Sequence, residues 1–437
     1  MDIATLETQA EAALKKQIGA LDLADVPDAL MAHKRVAAEE FSRAGLPHRR
    51  VEAWRYTDLR ARMKTALPLA TKADAEAVAC DDRDDVFADI AGARLVVTNG
   101  VFRPELSSLE RLPAGVEVIP FAKAGLGETA WAVSALGSAL TNGGGTIGAL
   151  NTVFACDGVV IRVAEGVQTT EPLHLIFVNH GEVASHARNL VMLGKGASLR
   201  LIESHQGQGA YQATNVAEVL LGEDAKLDHV KLVVDGPDAQ NLSLLAARLA
   251  DGADLKSFLM GSGAKLFRAE TTALFDGEGA NADLGGCMLL AGKQHGDATI
   301  FVDHAVPACT SRELYKVVLD DEAHGVFQGQ ILVRPHAQKT DGRQSSNALL
   351  LSENAEMSAK PQLEIYADDV QCAHGSTAGQ IDEDLLFYLR ARGIPEKEAR
   401  ALLVLAFIGA ALEEVPDEDV RAVLQKHAED WLYHRRS

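Results

Sequence analysis

From about Asn151 onward, apolar and polar residues alternate in short runs punctuated by Gly/Asp turns. A small turn ending in alanine recurs. It reads LGKGASL at Ala197, LGEDAKL at Ala225, ADGADL at Ala253 and GEGANADL at Ala280, at spacings of 28, 28 and 27 residues. Two further copies, LDDEAHGVF at Ala323 and LSENAEMSA at Ala355, follow at 43 and 32. After each turn the apolar positions alternate with period two, as in Leu199/Leu201 and Leu227/His229, which is the signature of a strand. A fixed repeat of this length with strand-like units predicts a β-solenoid. No single unit can bury its own apolar face. Stacked coils bury a continuous core, and alanine suits turns that stack closely. The competing architecture is a β-sandwich with similar turns, and the 43-residue gap reads as an insertion on one coil.

Both ends of the chain change period. Residues 1 to about 45 carry Ala, Leu, Lys and Glu at helical spacing, and a second helical stretch is predicted over Gly127–Asn142. Between them, Ala93–Phe102 reads as a hairpin, because Asn99-Gly100 suits a tight type I′ turn. Beyond Asp382, an acidic N-cap candidate, the helical period returns. Gly393 stands where a C-cap belongs, Pro395 opens a second helix and Pro416 separates a third. The predicted plan has three parts: a helical region with a small hairpin over 1–150, a β-helix core over 151–381, and a C-terminal helical domain over 382–437.

Bulk properties narrow the function classes. The 437 residues are 47% hydrophobic, enough for a large core, and only 5% aromatic. A formal charge of −20 repels phosphate backbones and anionic membranes, so neither is an expected partner. The five cysteines (Cys80, Cys156, Cys287, Cys309, Cys372) lie at long spacings without a CxxC pair. Reduced thiols in a cytosol fit better than a disulfide framework. No secretory pattern is visible at the N-terminus, and the longest apolar run, Ala401–Leu412, is too short to span a bilayer. The expected location is cytoplasmic.

Candidate chemistry is sparse. There is no GxxxxGK[ST], HExxH or GxSxG. One GxGxxG (Gly143, Gly145, Gly148) follows a helix-like stretch, the reverse of the dinucleotide-binding context, and reads as a loop. Acidic turns such as Glu223-Asp224, Asp251 and Asp320–Glu322 lack the paired glycines of calcium-binding repeats and read as solvated turns. Trp54, Arg55 and Tyr56 read as an anchor for a helical segment, with arginine stacked on a ring, and a binding patch is the alternative. His304 and Cys309 are five residues apart, with His324 and His336 further on, and Cys372 and His374 are two apart after a strand-like run, Leu363–Val370. On an extended backbone Cys372 and His374 point to the same side, which makes them a candidate metal-ligating pair. A buried thiol beside a hydrogen-bonded histidine is the plain alternative.

Several blocks resemble the SufD branch of the SufB/SufD family of the SUF iron–sulfur cluster assembly machinery. LPHRRVEAWRYTDL supplies Pro47, Arg49, Glu52, Trp54, Tyr56 and Thr57. LNTVFACDGVVIRV supplies Asn151, Phe154, Asp157 and Gly158. The longest block runs from HAVPACTSRELYK to EIYADDVQCAHGSTAGQID and the helices beyond it. The CAHG sequence, the WRYT block and the lack of CxxC favour SufD over its sister SufB. The resemblance implies a right-handed parallel β-helix between helical domains and a non-catalytic scaffold role. It also implies pairing with SufB, docking of the SufC ABC-type ATPase, and a cluster-assembly interface at His374 with Cys372. Sulfur would reach SufB from a cysteine desulfurase and its carrier. A nascent Fe–S cluster would form at the partner interface, with none held by the chain alone, and flavin binding by the complex stays open. A homodimer in isolation is expected from exposed solenoid edges.

For the ATPase, the polar positions Arg390, Arg392, Gly393, Glu396 and Lys397 are the expected docking surface, while Leu385, Leu386, Leu389 and Leu402–Leu405 are expected to pack internally. The competing function is a carbohydrate-active lyase or hydrolase, since those enzymes also use β-helices. It calls for aromatics lining a sugar cleft, which 5% aromatic content does not favour.

Overall fold

The computed structural model describes residues 7–21, 26, 28–79, 85–126 and 129–434. Cys80 and Gly127 lie outside them, as do residues 1–6, 22–25 and 27 of the predicted N-terminal helical region.

The strands, in chain order, begin with β1 (Ala93–Thr98), β2 (Val101–Phe102), β3 (Val116–Pro120), β4 (Val159–Val163), β5 (Leu173–His180) and β6 (Ala184–Leu193). Next come β7 (Ser198–Gln208), β8 (Gln212–Leu221), β9 (Lys226–Val233), β10 (Gln240–Leu249), β11 (Asp254–Gly261), β12 (Leu266–Phe275) and β13 (Asn281–Leu290). The series ends with β14 (His295–His304), β15 (Thr310–Leu319), β16 (His324–Val333), β17 (Asp341–Leu350), β18 (Glu356–Ile365) and β19 (Gln371–Gly379). The N-terminal helices are α1 (Gln9–Gly19), α2 (Asp28–Ala44), α3 (Leu59–Arg62), α4 (Lys72–Glu76), α5 (Ala130–Ala135) and α6 (Gly145–Phe154). The C-terminal helices are α7 (Glu383–Ala391), α8 (Glu396–Leu412) and α9 (Glu418–His434).

From β4 on, successive strands alternate between two sheets. Within each sheet every second strand of the chain pairs in parallel. That is a β-solenoid of eight coils, β4–β5 through β18–β19. Its corners explain the alanine repeat. Gly196, Asp224, Gly252 and Gly279 all have φ between 56° and 69°, a left-handed bend that glycine and aspartate adopt at low cost. The next residue of each, Ala197, Ala225, Ala253 or Ala280, is at most 1% exposed. Its carbonyl accepts from the coil above, as in Lys226 N to Ala197 O and Asp254 N to Ala225 O, both 2.8 Å. The four alanines form one stacked column, as expected.

Ala323 and Ala355 do not belong to that column. It continues through Cys309 and Thr340, whose carbonyls accept from Asp341 and Gln371 at 3.2 and 2.8 Å. Ala323 and Ala355 turn the corners into β16 and β18 of the other sheet. The 43-residue gap is therefore about one and a half coils and holds no insertion. Cysteine and threonine fill alanine positions, which hides the true period.

The sheets also reach further back in the chain than Asn151. β1 pairs in parallel with β5, and β3 pairs antiparallel with β4. The Asn99-Gly100 hairpin forms between β1 and β2, with φ of 43° and 84° as a type I′ turn requires. Asn151 and Phe154 lie in α6. Gly145 and Gly148 of the GxGxxG lie in α6 too, after a 3₁₀ turn over Thr141–Gly144, so that stretch begins a helix where a loop was expected. Within the expected Gly127–Asn142 stretch, only α5 is α-helical among the described residues.

Helices cover the outer faces. The N-terminal ones pack on Val216, Leu242, Leu244 and Leu266 of the even-numbered sheet. The C-terminal ones pack on Phe258, Met260, Cys287, Leu289 and Val318 of the odd-numbered sheet. Trp54 is buried under the Arg268 guanidinium, 4.0 Å from the ring centroid. The same arginine pairs with Asp297 and donates to the Ala53 carbonyl at 3.0 Å. The WRYT block is thus an anchor: the arginine over Trp54 comes from β12, and Arg55 lies over the ring of Tyr56, 5.8 Å from its centroid.

Candidate functional site: the open last coil

The stack ends at β18 and β19, which form the outermost strand of their respective sheets. No further coil covers them, so β18 is half-buried and β19 almost wholly exposed. Met357, Leu363 and Cys372 continue the apolar interior but are only partly covered. Each strand offers a row of backbone donors and acceptors along its outer edge, a template for another chain.

Cys372 and His374 lie within β19. The expected strand Leu363–Val370 is in fact the end of β18 and the following corner, and the pair sits on the next strand. Register places Cys372 beside Gly342 and His374 beside Gln344. Both neighbours are buried interior positions, so the pair shares one face, as the two-residue spacing requires. The two differ in access. Cys372 is half-buried with its thiol pushed up by burial, which disfavours the thiolate a ligand needs. His374 is exposed at the open end. Among the described residues no group of three or more His, Cys, Asp and Glu is arranged to hold a metal.

Behind His374 runs an interior polar column that spacing did not reveal. Gln344 follows Glu313 in register, and both are at most 3% exposed. Neither Glu313 oxygen and neither Gln344 amide atom has a hydrogen-bond partner. Burial pushes the Glu313 carboxyl up to about 8. A cavity of about 390 Å³ is lined by these two residues and His374, together with Arg312, Arg343 and Glu414. Deeper inside, Glu203 accepts from Lys231, Asn215 and His229 at 2.8, 3.1 and 3.2 Å and bonds His205. Burial alone would raise its carboxyl. Lys231 and the two histidines outweigh that and hold it well below the usual range. His304 is a core residue bonded to Ser311 at 2.9 Å and packed on Phe275, and Cys309 is a buried corner residue.

On the C-terminal helices, the five expected docking positions cluster at the α7–α8 turn. Asp382 caps α7, and Gly393 makes the turn at φ 85°. Arg390 pairs with Glu396 at 3.3 Å, Glu396 also holds Arg400, and Arg392 stacks on Tyr388. Lys397 is exposed on the first turn of α8. The expected internal packing of the leucines fails in two places. Leu386 is buried and Leu389 half-buried, but Leu385 is 51% and Leu402 47% exposed. A nine-residue helix can turn only one face to α8. Leu386 and Leu389 take that face, leaving Leu385 and Tyr388 on another stripe. Phe387 is 72% exposed on a different side of the helix, and the sequence reading missed these open apolar side chains. Five consecutive apolar residues, Leu385–Leu389, are more than one helical face can bury, and that was the available signal.

Two sequence families match in tandem. The SufBD protein N-terminal region covers residues 15–175, and the SUF system FeS cluster assembly, SufBD core domain covers 176–407. The chain belongs to the SufBD family. An iron–sulfur cluster assembly SufBD family protein of Synechocystis sp. is 30% identical over 405 residues, 89% of this chain and 88% of its own length. The iron–sulfur cluster assembly protein SufD of Escherichia coli is 30% identical over 396 residues, 88% of each chain. SufD of Bacillus subtilis is 27% identical over 287 residues, 63% of this chain and 64% of its own. The chain is thus a SufD homologue of iron–sulfur cluster assembly, and the carbohydrate-active alternative loses its support. Among the described residues no helix is long and apolar enough to cross a membrane.

Proposed function

We propose that this SufBD-family chain is a non-catalytic scaffold subunit that builds iron–sulfur clusters only together with partner chains. The observation that carries the reading is the open last coil. Its unpaired strand edges, half-covered interior and exposed His374 coincide at one end of the solenoid. A neutral imidazole ligates iron. One histidine, with a half-buried thiol beside it, supplies too few ligands to hold a cluster, so the partner supplies the rest. SufB fits that role, its own last coil laid against β18 and β19. In isolation the same edges are open to a second copy of this chain.

The second contact is offered by the exposed apolar side chains of α7 and α8, Leu385, Phe387, Tyr388 and Leu402, together with the Arg390–Glu396 turn, and it suits a SufC-type ABC ATPase. A hydrophobic centre with a charged rim is the usual anatomy of such an interface. The cluster is cargo here, and the protein works in the cytoplasm. The test is hydrogen–deuterium exchange of residues 356–379, alone and after co-expression with SufB- and SufC-type subunits. Protection of both edge strands in the complex is expected. Unchanged exchange in an intact complex would remove the interface from this end of the solenoid.

A further inference from the structure

Residues 47–60 form a closed loop on the outer face of the even-numbered sheet. Arg60 N donates to the Pro47 carbonyl at 3.0 Å and ties the two ends together. Within it, Val51 N, Trp54 N and Thr57 N donate to the carbonyls of His48, Val51 and Trp54 at 2.8, 2.9 and 3.2 Å. The loop is bonded to four strands. Thr57 donates to Asp297 of β14, and the Ala53 carbonyl accepts from Arg268 of β12 and Gln328 of β16 at 3.0 and 3.1 Å. Glu52 accepts from Lys360 of β18, the outermost strand, at 2.7 Å. Trp54, Thr57 and Leu59 are at most 4% exposed and pin the loop down. A compact loop held in this way fixes the places of its exposed side chains. Arg49, Arg50, Val51 and Arg55 are all exposed. Anchoring accounts for the buried half of the loop and leaves this half without a role.

The exposed half is also a basic patch on a chain of formal charge −20. The carboxylates of the loop are already engaged. Asp58 caps α3, accepting from Ala61 N at 2.9 Å. Glu52 is held by Lys360, which with Gln362 and Arg55 keeps its carboxyl below the usual range. Arg60 pairs with Glu11 at 3.3 Å. Among the described residues, Arg49, Arg50 and Arg55 form no ion pair, and Arg55 only lies over Tyr56. A guanidinium is a planar fork that matches a carboxylate. Arginine beside an open apolar side chain, here Val51 at 42% exposure, is the composition of protein interfaces. A phosphate backbone makes no use of Val51, and the net charge repels a long polyanion.

We propose that Arg49, Arg50 and Arg55 clamp a carboxylate-bearing segment of the same partner chain that docks on β18 and β19, with Val51 as the apolar contact beside them. The assignment rests on the open last coil being the seat of that partner. The bond from Glu52 to Lys360 puts the loop next to that edge, so a chain laid along β18 comes within its reach. Charges at the rim of an interface act mainly on the association rate and on its salt dependence.

The test is hydrogen–deuterium exchange of residues 48–56 and 371–379, read together in the full chain alone and in its co-expressed complex with a SufB-type subunit. Slowed exchange of both segments in the complex is expected. The exposed pair Arg49→Glu and Arg50→Glu should leave the melting temperature of the isolated chain unchanged. It should weaken binding of the SufB-type subunit at least tenfold at low salt and remove the salt dependence that the native chain shows. Slowed exchange at 371–379 with unchanged exchange at 48–56 would overturn the clamp and leave the open-coil reading standing. Unchanged exchange of both segments in an intact complex would remove both. Native affinity in the double variant would also overturn the clamp. If that variant melts early, exchange in the native complex decides alone. A short DNA duplex bound by the native chain and released by the double variant would assign the arginines to a phosphate backbone and overturn the clamp as well.

Discussion

Replacing Glu313 with glutamine should flatten the dependence of stability on pH. The carboxyl is 2% exposed, neither oxygen has a partner, and burial moves it from 4.5 to about 8. Below pH 4.5 it is protonated whether the chain is folded or not. Between about 4.5 and 8 the unfolded chain releases the proton and the fold keeps it, so stability falls as pH rises. Above about 8 the loss is complete. At ~1.4 kcal/mol per pH unit the ceiling is about 5 kcal/mol. Buried histidines act in the opposite sense. Burial lowers His174 and His304 to about 4, His186 to about 3 and His295 to about 2. Their stabilisation is complete above about pH 6.5 and is lost as pH falls below that. From pH 6.8 to 8 these histidines no longer contribute to the pH dependence, and the difference between the native chain and Glu313→Gln reads Glu313 itself. Urea midpoints of the native chain and Glu313→Gln, measured from pH 5 to 8.5, should diverge steadily, with the variant gaining relative stability as pH rises. Parallel profiles would refute the claim that this carboxyl is buried without an answering donor.

Trp54→Ala should cost about 3–5 kcal/mol, because it empties a buried site and removes a desolvated cation–π contact with Arg268; differential scanning calorimetry reads the loss. Ala253→Leu should cost about 1–3 kcal/mol or more by overpacking the corner column between Ala225 and Ala280, and an unchanged urea midpoint would argue against close stacking there. Phe387→Ser should leave the melting temperature of the isolated chain within about 1 °C, since a surface site contributes little, yet abolish co-purification of the ATPase. This is a cleaner probe than truncation at Asp382, which would strip the cover from Phe258, Met260 and Leu289.

The solenoid was legible because each coil needs one tight corner, and the corner imposes two demands at once. A left-handed residue and a small buried one must follow each other, which yields Gly-Ala or Asp-Ala every 27 or 28 residues. Legibility failed at Ala308-Cys309 and Lys339-Thr340, where the same demands are met by other residues with φ of 60° and 62°. The pair Cys372 and His374 could be placed on one face from the pleat alone. That the coil around them is the last one follows from register with β17, which spacing does not carry. The column of Glu313 and Gln344 was invisible because each reads as a polar position on a half-exposed strand; only stacking shows that it points inward. The buried network around Glu203 was hidden for the same reason. In α7, helical periodicity located the element, and only the packing of α8 showed which leucines were left over.

The direct test of the central claim is His374→Ala in the co-expressed complex with SufB- and SufC-type subunits, measuring subunit assembly, melting temperature, and bound iron and sulfide together. His374 is exposed on β19, so its removal should change stability by no more than about 0.5 kcal/mol. The account predicts an intact complex whose iron and sulfide fall to background. Native cluster content in an intact complex would contradict the assembly role of the open coil, and a complex that no longer assembles would make His374 a structural contact instead.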